Sequence, residues 1–177
     1  MTSQRESEIF TPVVVIVYGV VCVVRTALFF YARQRSMGTA EQKAEGVRLL
    51  YPDVCRLPVN PIRIANRLGI EVRKDCSSEN PDVRYSSQEN AIFLNTDRNL
   101  LRRRFNVCLG IGYALGLIQE AEASRFAASL LMPPQAVRIC VERGYSIDRM
   151  CALFGVSSKA LALRLRQLGL IGRTRSN

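Results

Sequence analysis

Apolar positions recur with a helical period where the sequence predicts the start of a folded region. From Met37 to Tyr51 they fall at 44, 47 and 50, a spacing typical of an amphipathic helix. A second helix is predicted after it, with Asn60 as the N-cap, Pro61 as the first helical residue and Gly69 as the stop. The pattern therefore predicts two helices before any strand.

Three short stretches after these helices alternate as β-strands do. Ile70 and Val72 alternate with charged residues, and the sequences VRYSS and AIFLNT follow a polar stretch that turns the chain. We expect the three strands to form one small antiparallel sheet. Two consecutive helices are predicted from Arg102 to Pro133, so the whole pattern indicates an α+β fold.

The C-terminal part of the chain has the pattern of a helix-turn-helix pair. Ser146 is placed to cap a helix from Ile147 to Phe154, and the residues GVS form a tight turn. Ser157 then caps a second helix, which Gly169 ends. This arrangement is typical of DNA-binding proteins.

The N-terminal segment is apolar without a helical period. Residues 9–32 carry one charge, Arg25, and a helix needs about 20 apolar residues to cross a bilayer. We interpret the segment as a single transmembrane helix. A tail, residues 1–8, precedes it and a linker, residues 33–38, follows it.

The flanking charges predict the orientation of this helix. Arg33 and Arg35 follow it, so the positive-inside rule places the rest of the protein in the cytoplasm. The alternative is that translation starts at Met37, which would give a cytoplasmic protein without the segment. Both interpretations remain open on the sequence.

Composition and charge narrow the classes of partner. At 177 residues and 48% hydrophobic, the chain is long enough for one domain with a core and an appendage. The net charge of +10 favours anionic partners such as nucleic acid, a membrane surface or an acidic protein face. Much of this excess lies in the C-terminal part. The candidates there for contacts with phosphate groups are Lys159, Arg164, Arg166, Arg173 and Arg175.

Histidine is absent from the chain, and this excludes the H-E-x-x-H motif of zinc peptidases. The six cysteines include no C-x-x-C pair. Cys108, Cys140 and Cys151 fall inside helical patterns beside apolar residues, so we interpret the cysteines as buried free thiols in a reducing cytoplasm and not as a disulfide framework or a zinc site.

Five segments in order resemble the ImmA/IrrE family of metallopeptidase-like proteins over about residues 39–171. They are LPVNPIRIANRLGIEV, AIFLNT, RRRFNVCLGIGYALG, EAEASRFAASLLMP and the C-terminal helical pair. The resemblance implies a zincin-like core, residues 39–134, a helix-turn-helix-like segment, residues 135–171, and a basic tail, residues 172–177. It also implies that active relatives bind zinc and cleave a helix-turn-helix repressor.

The same resemblance assigns the zinc motif residue by residue. Leu109 and Tyr113 fall on the two histidine positions and Gly110 on the glutamate position. Glu120 is the best match for the third ligand, with Glu122 as the alternative. Leucine cannot donate to zinc, and glycine has no side chain with which to move a proton. We therefore expect no catalytic residue, no metal and no other cofactor, with Glu120 as a remnant.

Gly110, Gly112 and Gly116 form a G-x-G-x-x-x-G pattern faintly like a phosphate-binding loop. Such a loop follows a strand and opens a helix, whereas this pattern follows residues that are already helical. We therefore interpret the glycines as sites of close helix packing.

Three functions remain open. The preferred one is a catalytically degenerate module that binds a regulatory partner, such as a helix-turn-helix repressor, without cleaving it. The second is a DNA-associated protein acting through the basic C-terminal helices, although within the resembling family that segment also serves as an integral helical part. The third is an active metallo-endopeptidase with atypical ligands, for example Cys108 with Glu120 and Tyr113.

Overall fold

A computed structural model of the protein describes residues 38–75 and 81–171. Within these ranges the chain forms seven helices and three strands. In chain order they are α1 (Ala40–Leu50), α2 (Pro61–Arg67), β1 (Glu71–Asp75), β2 (Val83–Ser86), β3 (Ala91–Asn95), α3 (Leu100–Ala114), α4 (Glu120–Leu131), α5 (Pro134–Glu142), α6 (Ile147–Phe154) and α7 (Ser158–Gln167). The mixture of helices and one sheet confirms the predicted α+β class.

The predicted helix caps are confirmed. The side chain of Asn60 accepts a hydrogen bond from the Arg63 amide at 3.3 Å, and Pro61 is the first residue of α2. Ser146 and Ser157 cap α6 and α7 in the same way. These caps satisfy amide groups that have no partner inside the helix, which is why local sequence is enough to locate them.

The sheet is mixed, so the prediction of an antiparallel sheet is wrong. The strand order is β1-β3-β2, with β3 parallel to β1 and antiparallel to β2. Successive strands reverse direction along the chain, but only β2 and β3 are both successive and adjacent. The chain reverses direction twice between β1 and β3, so these two strands run in the same direction. Since β3 lies between β1 and β2, it pairs with β1 as a parallel neighbour, and β2 is part of the connection between them.

Helix α3 lies at the centre of the fold. It packs against α4 on one side and against β2 and β3 on another, while α1 packs on α4. Buried residues from Ala40 to Leu165 form one continuous hydrophobic cluster. The core predicted for residues 39–134 and the helical segment predicted from residue 135 therefore share this interior.

Two arginines tie the C-terminal helices to the rest of the fold. Arg104 of α3 donates through Nη2 to the carbonyl oxygen of Val59 at 2.7 Å and to that of Phe154, at the end of α6, at 3.4 Å. Arg164 of α7 donates through Nη2 to Ser129 Oγ at 2.6 Å. These bonds link α6 and α7 to α3 and α4, as an integral helical part of the fold requires.

Ser129 of α4 also accepts a hydrogen bond from a second arginine. Nη1 of Arg48, on α1, donates to its carbonyl oxygen at 2.7 Å, while Arg164 binds its hydroxyl group. The side chain of Ser129 is fully buried. The first and last helices of the described chain therefore meet at one residue of α4.

The predicted transmembrane helix, residues 9–32, lies outside the described residues, as do the tail before it and the basic tail, residues 172–177. None of the helices in residues 38–75 and 81–171 combines the length and the apolar character needed to cross a bilayer.

Candidate functional site

The positions that the resemblance assigns to the zinc motif lie together on the second half of α3. This helix starts after the cap Asn99 and runs under the sheet, with α4 on its other side. Positions 109 and 113 are one turn apart and so face the same side of the helix. The helix that the resemblance implies is therefore present, and the chemistry available on it depends on which side chains it carries.

Gly110, at the position of the catalytic glutamate, packs directly against the central strand. A Cβ atom at this position would lie 2.7 and 2.8 Å from Ile92 Cγ2 and Cγ1, and 3.0 Å from its Cδ1. Ile92 is fully buried, and its branched side chain has little freedom at Cβ. The side chain of Ile92 thus fills the space in which a catalytic carboxylate would begin.

Leu109, at the first histidine position, belongs to the hydrophobic core. Its side chain is 4% exposed and lies in the same cluster as the buried residues of α4. A leucine side chain in this environment stabilises the fold by burial, at about 25 cal/mol per Å² of apolar area removed from water. It has no atom that could bind a metal.

Tyr113 and Glu120 retain polar atoms at the open end of this face. Tyr113 is half-buried, whereas Glu120 is exposed as the first residue of α4. Burial raises the pKa of the Tyr113 phenol, and the negative charge of Glu120 raises this pKa further. The charge of Glu120 therefore acts on Tyr113, and these are the two residues that the resemblance places at the third ligand and the second histidine.

These residues do not fit a catalytic zinc ion. Such a site uses three protein ligands that bind through nitrogen, sulfur or oxygen and an open position for water. One phenol and one carboxylate remain, because Leu109 has no donor atom and Ile92 fills the space beside Gly110. In the part of the chain that the structure describes, no group of three histidine, cysteine, aspartate or glutamate side chains is arranged to hold a metal.

Cys108, the alternative ligand considered from the sequence, lies inside the core. Its side chain is fully buried, and burial raises the pKa of its thiol, although the nearby charge of Arg104 acts in the opposite direction. A protonated, enclosed thiol is a poor metal ligand, because zinc binds the thiolate. Cys108 therefore acts as a small apolar side chain in the packing of α3.

The glycines of α3 are explained by packing. A Cβ atom at Gly112 would lie 3.3 Å from the ring of Phe126 and 3.4 Å from the backbone of Ala123, both on α4. Close packing was the predicted role, and it is confirmed for Gly110 and Gly112. Gly116 differs, because it follows the end of the helix with a φ of +84°, a conformation that favours glycine.

Two residues near the start of α3 were not predicted as part of this region. The side chain of Asn106 is fully buried, and neither of its polar atoms has a hydrogen-bond partner among residues 38–75 and 81–171. The only indication of this site in the sequence is that Asn106 is a polar residue between Phe105 and Val107. Arg104 is half-buried, and its guanidinium group donates hydrogen bonds to backbone carbonyl oxygens.

The predicted phosphate contacts are divided by the structure. Lys159 and Arg166 are exposed on α7. Arg164 is 2% exposed and donates inward to Ser129 and Met132, so its assignment as a phosphate contact is wrong. Its spacing on the helix directs it towards α4, where it binds polar atoms at the end of that helix. Arg173 and Arg175 lie outside the described residues.

Comparisons with known proteins agree with this architecture. Residues 65–166 match the family model of the IrrE N-terminal-like domain. A comparison with curated proteins gives no match. A solved structure, a Mycobacterium tuberculosis transcriptional regulator, superposes with a TM-score of 0.57 at 20% sequence identity, covering 86% of this chain and 52% of that chain. This chain thus spans about half of the regulator, and the likeness at this identity is one of fold.

Proposed function

The chain belongs to the family of the IrrE N-terminal-like domain, and from this premise we propose that it is a regulatory module that binds a protein partner without cleaving it. The partner class proposed is a helix-turn-helix repressor, by resemblance to the substrates of active relatives. The transcriptional regulator with a similar fold is consistent with a regulatory role.

The observation that carries this proposal is the contact of Ile92 with Gly110. The general base of a zinc peptidase must reach a metal-bound water within hydrogen-bonding distance. The fully buried side chain of Ile92 occupies the space into which a side chain at position 110 would extend. Leu109, which precedes Gly110, is packed in the core. The positions of α3 that the resemblance assigns to the zinc motif therefore contribute to stability, and we propose that the surface around them binds the partner.

The sheet offers a means of holding a partner. β2 is an outer strand of the sheet, and α3 packs against it. An extended segment can bind an outer strand through main-chain hydrogen bonds, without requiring a metal. In the loop between α3 and α4, Ile118 is 90% exposed and lies two residues before Glu120, so it offers a partner an apolar contact next to Glu120 in the chain.

The proposal is tested with the purified full chain and a purified helix-turn-helix repressor encoded by a neighbouring gene. We expect a complex by size-exclusion chromatography and calorimetry, and an intact repressor after prolonged incubation. Ile118→Asp should weaken the complex, by roughly tenfold for a lost apolar contact in an interface. The matched control is Leu49→Asp, an exposed apolar residue at the end of α1.

Two outcomes would contradict the proposal. Cleavage of the repressor by protein that contains stoichiometric zinc would favour an active peptidase with atypical ligands. Failure of the repressor to bind, or equal weakening by the two aspartate variants, would remove the proposed binding face.

A second candidate is binding of DNA by the C-terminal helices, because Lys159 and Arg166 are exposed on the second helix of the pair. Contacts of this kind release counterions, so the affinity for duplex DNA should fall steeply as salt rises. Lys159→Gln combined with Arg166→Gln should reduce that slope by roughly two contacts. No duplex binding at low salt would exclude this candidate.

A membrane location is also proposed, on the sequence of residues 9–32 alone. Fractionation of cells that produce the full chain tests it. Recovery of the protein with membranes after a high-salt wash is expected, whereas a product that starts at Met37 and remains in the supernatant would contradict it.

A further inference from the structure

A cavity of about 570 Å³ opens beside the loop that joins α1 and α2, away from the face of α3 described above. Its volume lies in the range of about 300 to 1,000 Å³ that is usual for small-molecule sites. Asp53 and Arg56 of the loop and Arg63 of α2 contribute its charged groups. The cavity is lined mainly by polar atoms, so a polar ligand suits it better than an apolar one.

The charges of this cavity are not balanced. Asp53 is already engaged, because its Oδ2 accepts a hydrogen bond from Arg67 Nη2 at 2.6 Å. Arg56 and Arg63 are exposed, and neither guanidinium group has a hydrogen-bond or ion-pair partner within the described residues. Two positive charges therefore face the cavity without a compensating anion from that part of the chain.

We infer that this cavity binds a small organic phosphate through Arg56 and Arg63. A guanidinium group presents its donors in a planar fork that matches two oxygens of a phosphate group. A phosphate monoester carries about −1.5 to −2 charges at neutral pH, which balances the two arginines. One phosphate dianion thus balances the charge that Arg56 and Arg63 bring to the lining.

The remaining lining can hold the organic part of the ligand. Leu57 and Pro58 supply the smaller, apolar part of the lining, and Val54, which also lines the cavity, is buried. The adjacent residue Val59 is fully buried, and its carbonyl oxygen accepts the hydrogen bond from Arg104 at 2.7 Å. This bond fixes the loop to α3, so less ordering of the loop is needed when a ligand binds.

The test measures binding of pyrophosphate and of a nucleoside diphosphate to the full chain by calorimetry at constant ionic strength. We expect both to bind, the nucleoside diphosphate more tightly because its nucleoside also contacts Leu57 and Pro58. Arg56→Gln and Arg63→Gln should each weaken binding roughly tenfold, the usual effect of losing a hydrogen bond between charged groups. Inorganic phosphate should compete with both ligands.

The matched control is Arg138→Gln, which removes one positive charge from the exposed surface of α5. This variant should bind pyrophosphate as the unchanged chain does, and circular dichroism should show that all three variants are folded. Equal weakening by the control would mean general charge attraction and would overturn the inference. Absence of binding to the unchanged chain would also overturn the inference. So would a result in which these two arginines bind duplex DNA but no small phosphate.

Discussion

Ile92 of the central strand and Gly110 of α3 are packed so closely that a single added carbon at position 110 would lie within 3.0 Å of three atoms of the isoleucine side chain. This contact joins the sheet to the helix at the place where active relatives are expected to carry their general base. The lack of a side chain at position 110 is therefore part of the hydrophobic packing and not a feature of the surface alone.

We predict that Gly110→Ala destabilises the fold. Alanine favours a helix over glycine by about 1 kcal/mol, but overpacking against a stiff core residue costs about 1 to 3 kcal/mol. The matched control is Gly46→Ala in α1, where no atom lies within 4 Å of the added Cβ and the change should stabilise by about 1 kcal/mol. Urea denaturation measures both, and a stabilised Gly110→Ala variant would contradict the packing argument.

The expectation that Glu120 stands at the third-ligand position can be tested by introducing histidines at the two positions that the resemblance assigns to them. Leu109→His with Tyr113→His should give the chain measurable zinc affinity, because the two imidazoles face the same side of α3 and the charge of Glu120 acts on the side chain at position 113. Adding Glu120→Gln should lower that affinity by roughly tenfold or more, while Glu122→Gln should not. Competition with a chelator measures the zinc affinity of each variant. A larger loss of affinity with Glu122→Gln than with Glu120→Gln would assign the ligand position to Glu122. Cleavage is not expected, because Gly110 supplies no base.

Arg164 should be essential to stability, whereas Arg166 on the same helix should not. Arg164→Leu removes hydrogen bonds to Ser129 and Met132 and leaves their oxygen atoms buried, which should cost about 2 to 3 kcal/mol. Arg166→Leu changes an exposed residue and should stay within about 0.5 kcal/mol. Thermal and urea unfolding compare the pair. A similar effect of both substitutions would mean that the buried contacts contribute little.

Cys55 should make stability fall in alkaline solution. Burial raises the pKa of its thiol from 9.0 to about 11, despite the opposing charge of Arg48. Between these pH values the unfolded chain has lost the proton and the folded chain keeps it, so the free energy of unfolding decreases as pH rises. Cys55→Ala should flatten this part of the curve of stability against pH. Alkylation of the folded protein should also report a midpoint near pH 11, and a midpoint near 9 would contradict the burial of this thiol.

The sequence predicts those features of this protein that local residues determine. Asn60, Ser146 and Ser157 could be recognised as caps because each binds an amide only three residues away. The parallel pairing of β1 with β3 could not, because it depends on which strand inserts between which.

The site was predictable to the same extent. The resemblance located Leu109, Gly110 and Tyr113 on one helix, but the neighbour that fills the space at Gly110 comes from a strand eighteen positions earlier. Charge counting assigned Arg164 to the surface, since composition does not distinguish an exposed guanidinium group from one that binds inside the fold.

The two arginines that bind Ser129 have a consequence for how the protein opens. Arg48 and Arg164 lie 81 and 35 positions from this serine, so α1 and α7 are held by one buried residue of α4. Arg48 binds the carbonyl oxygen of this serine and Arg164 its hydroxyl group, so loss of either helix loosens the same buried turn of α4, and the two should open together as one cooperative unit. Hydrogen exchange of their amides is expected to share a common opening free energy. Substituting Ser129 by alanine should accelerate exchange in α7 and, through the shared turn, in α1.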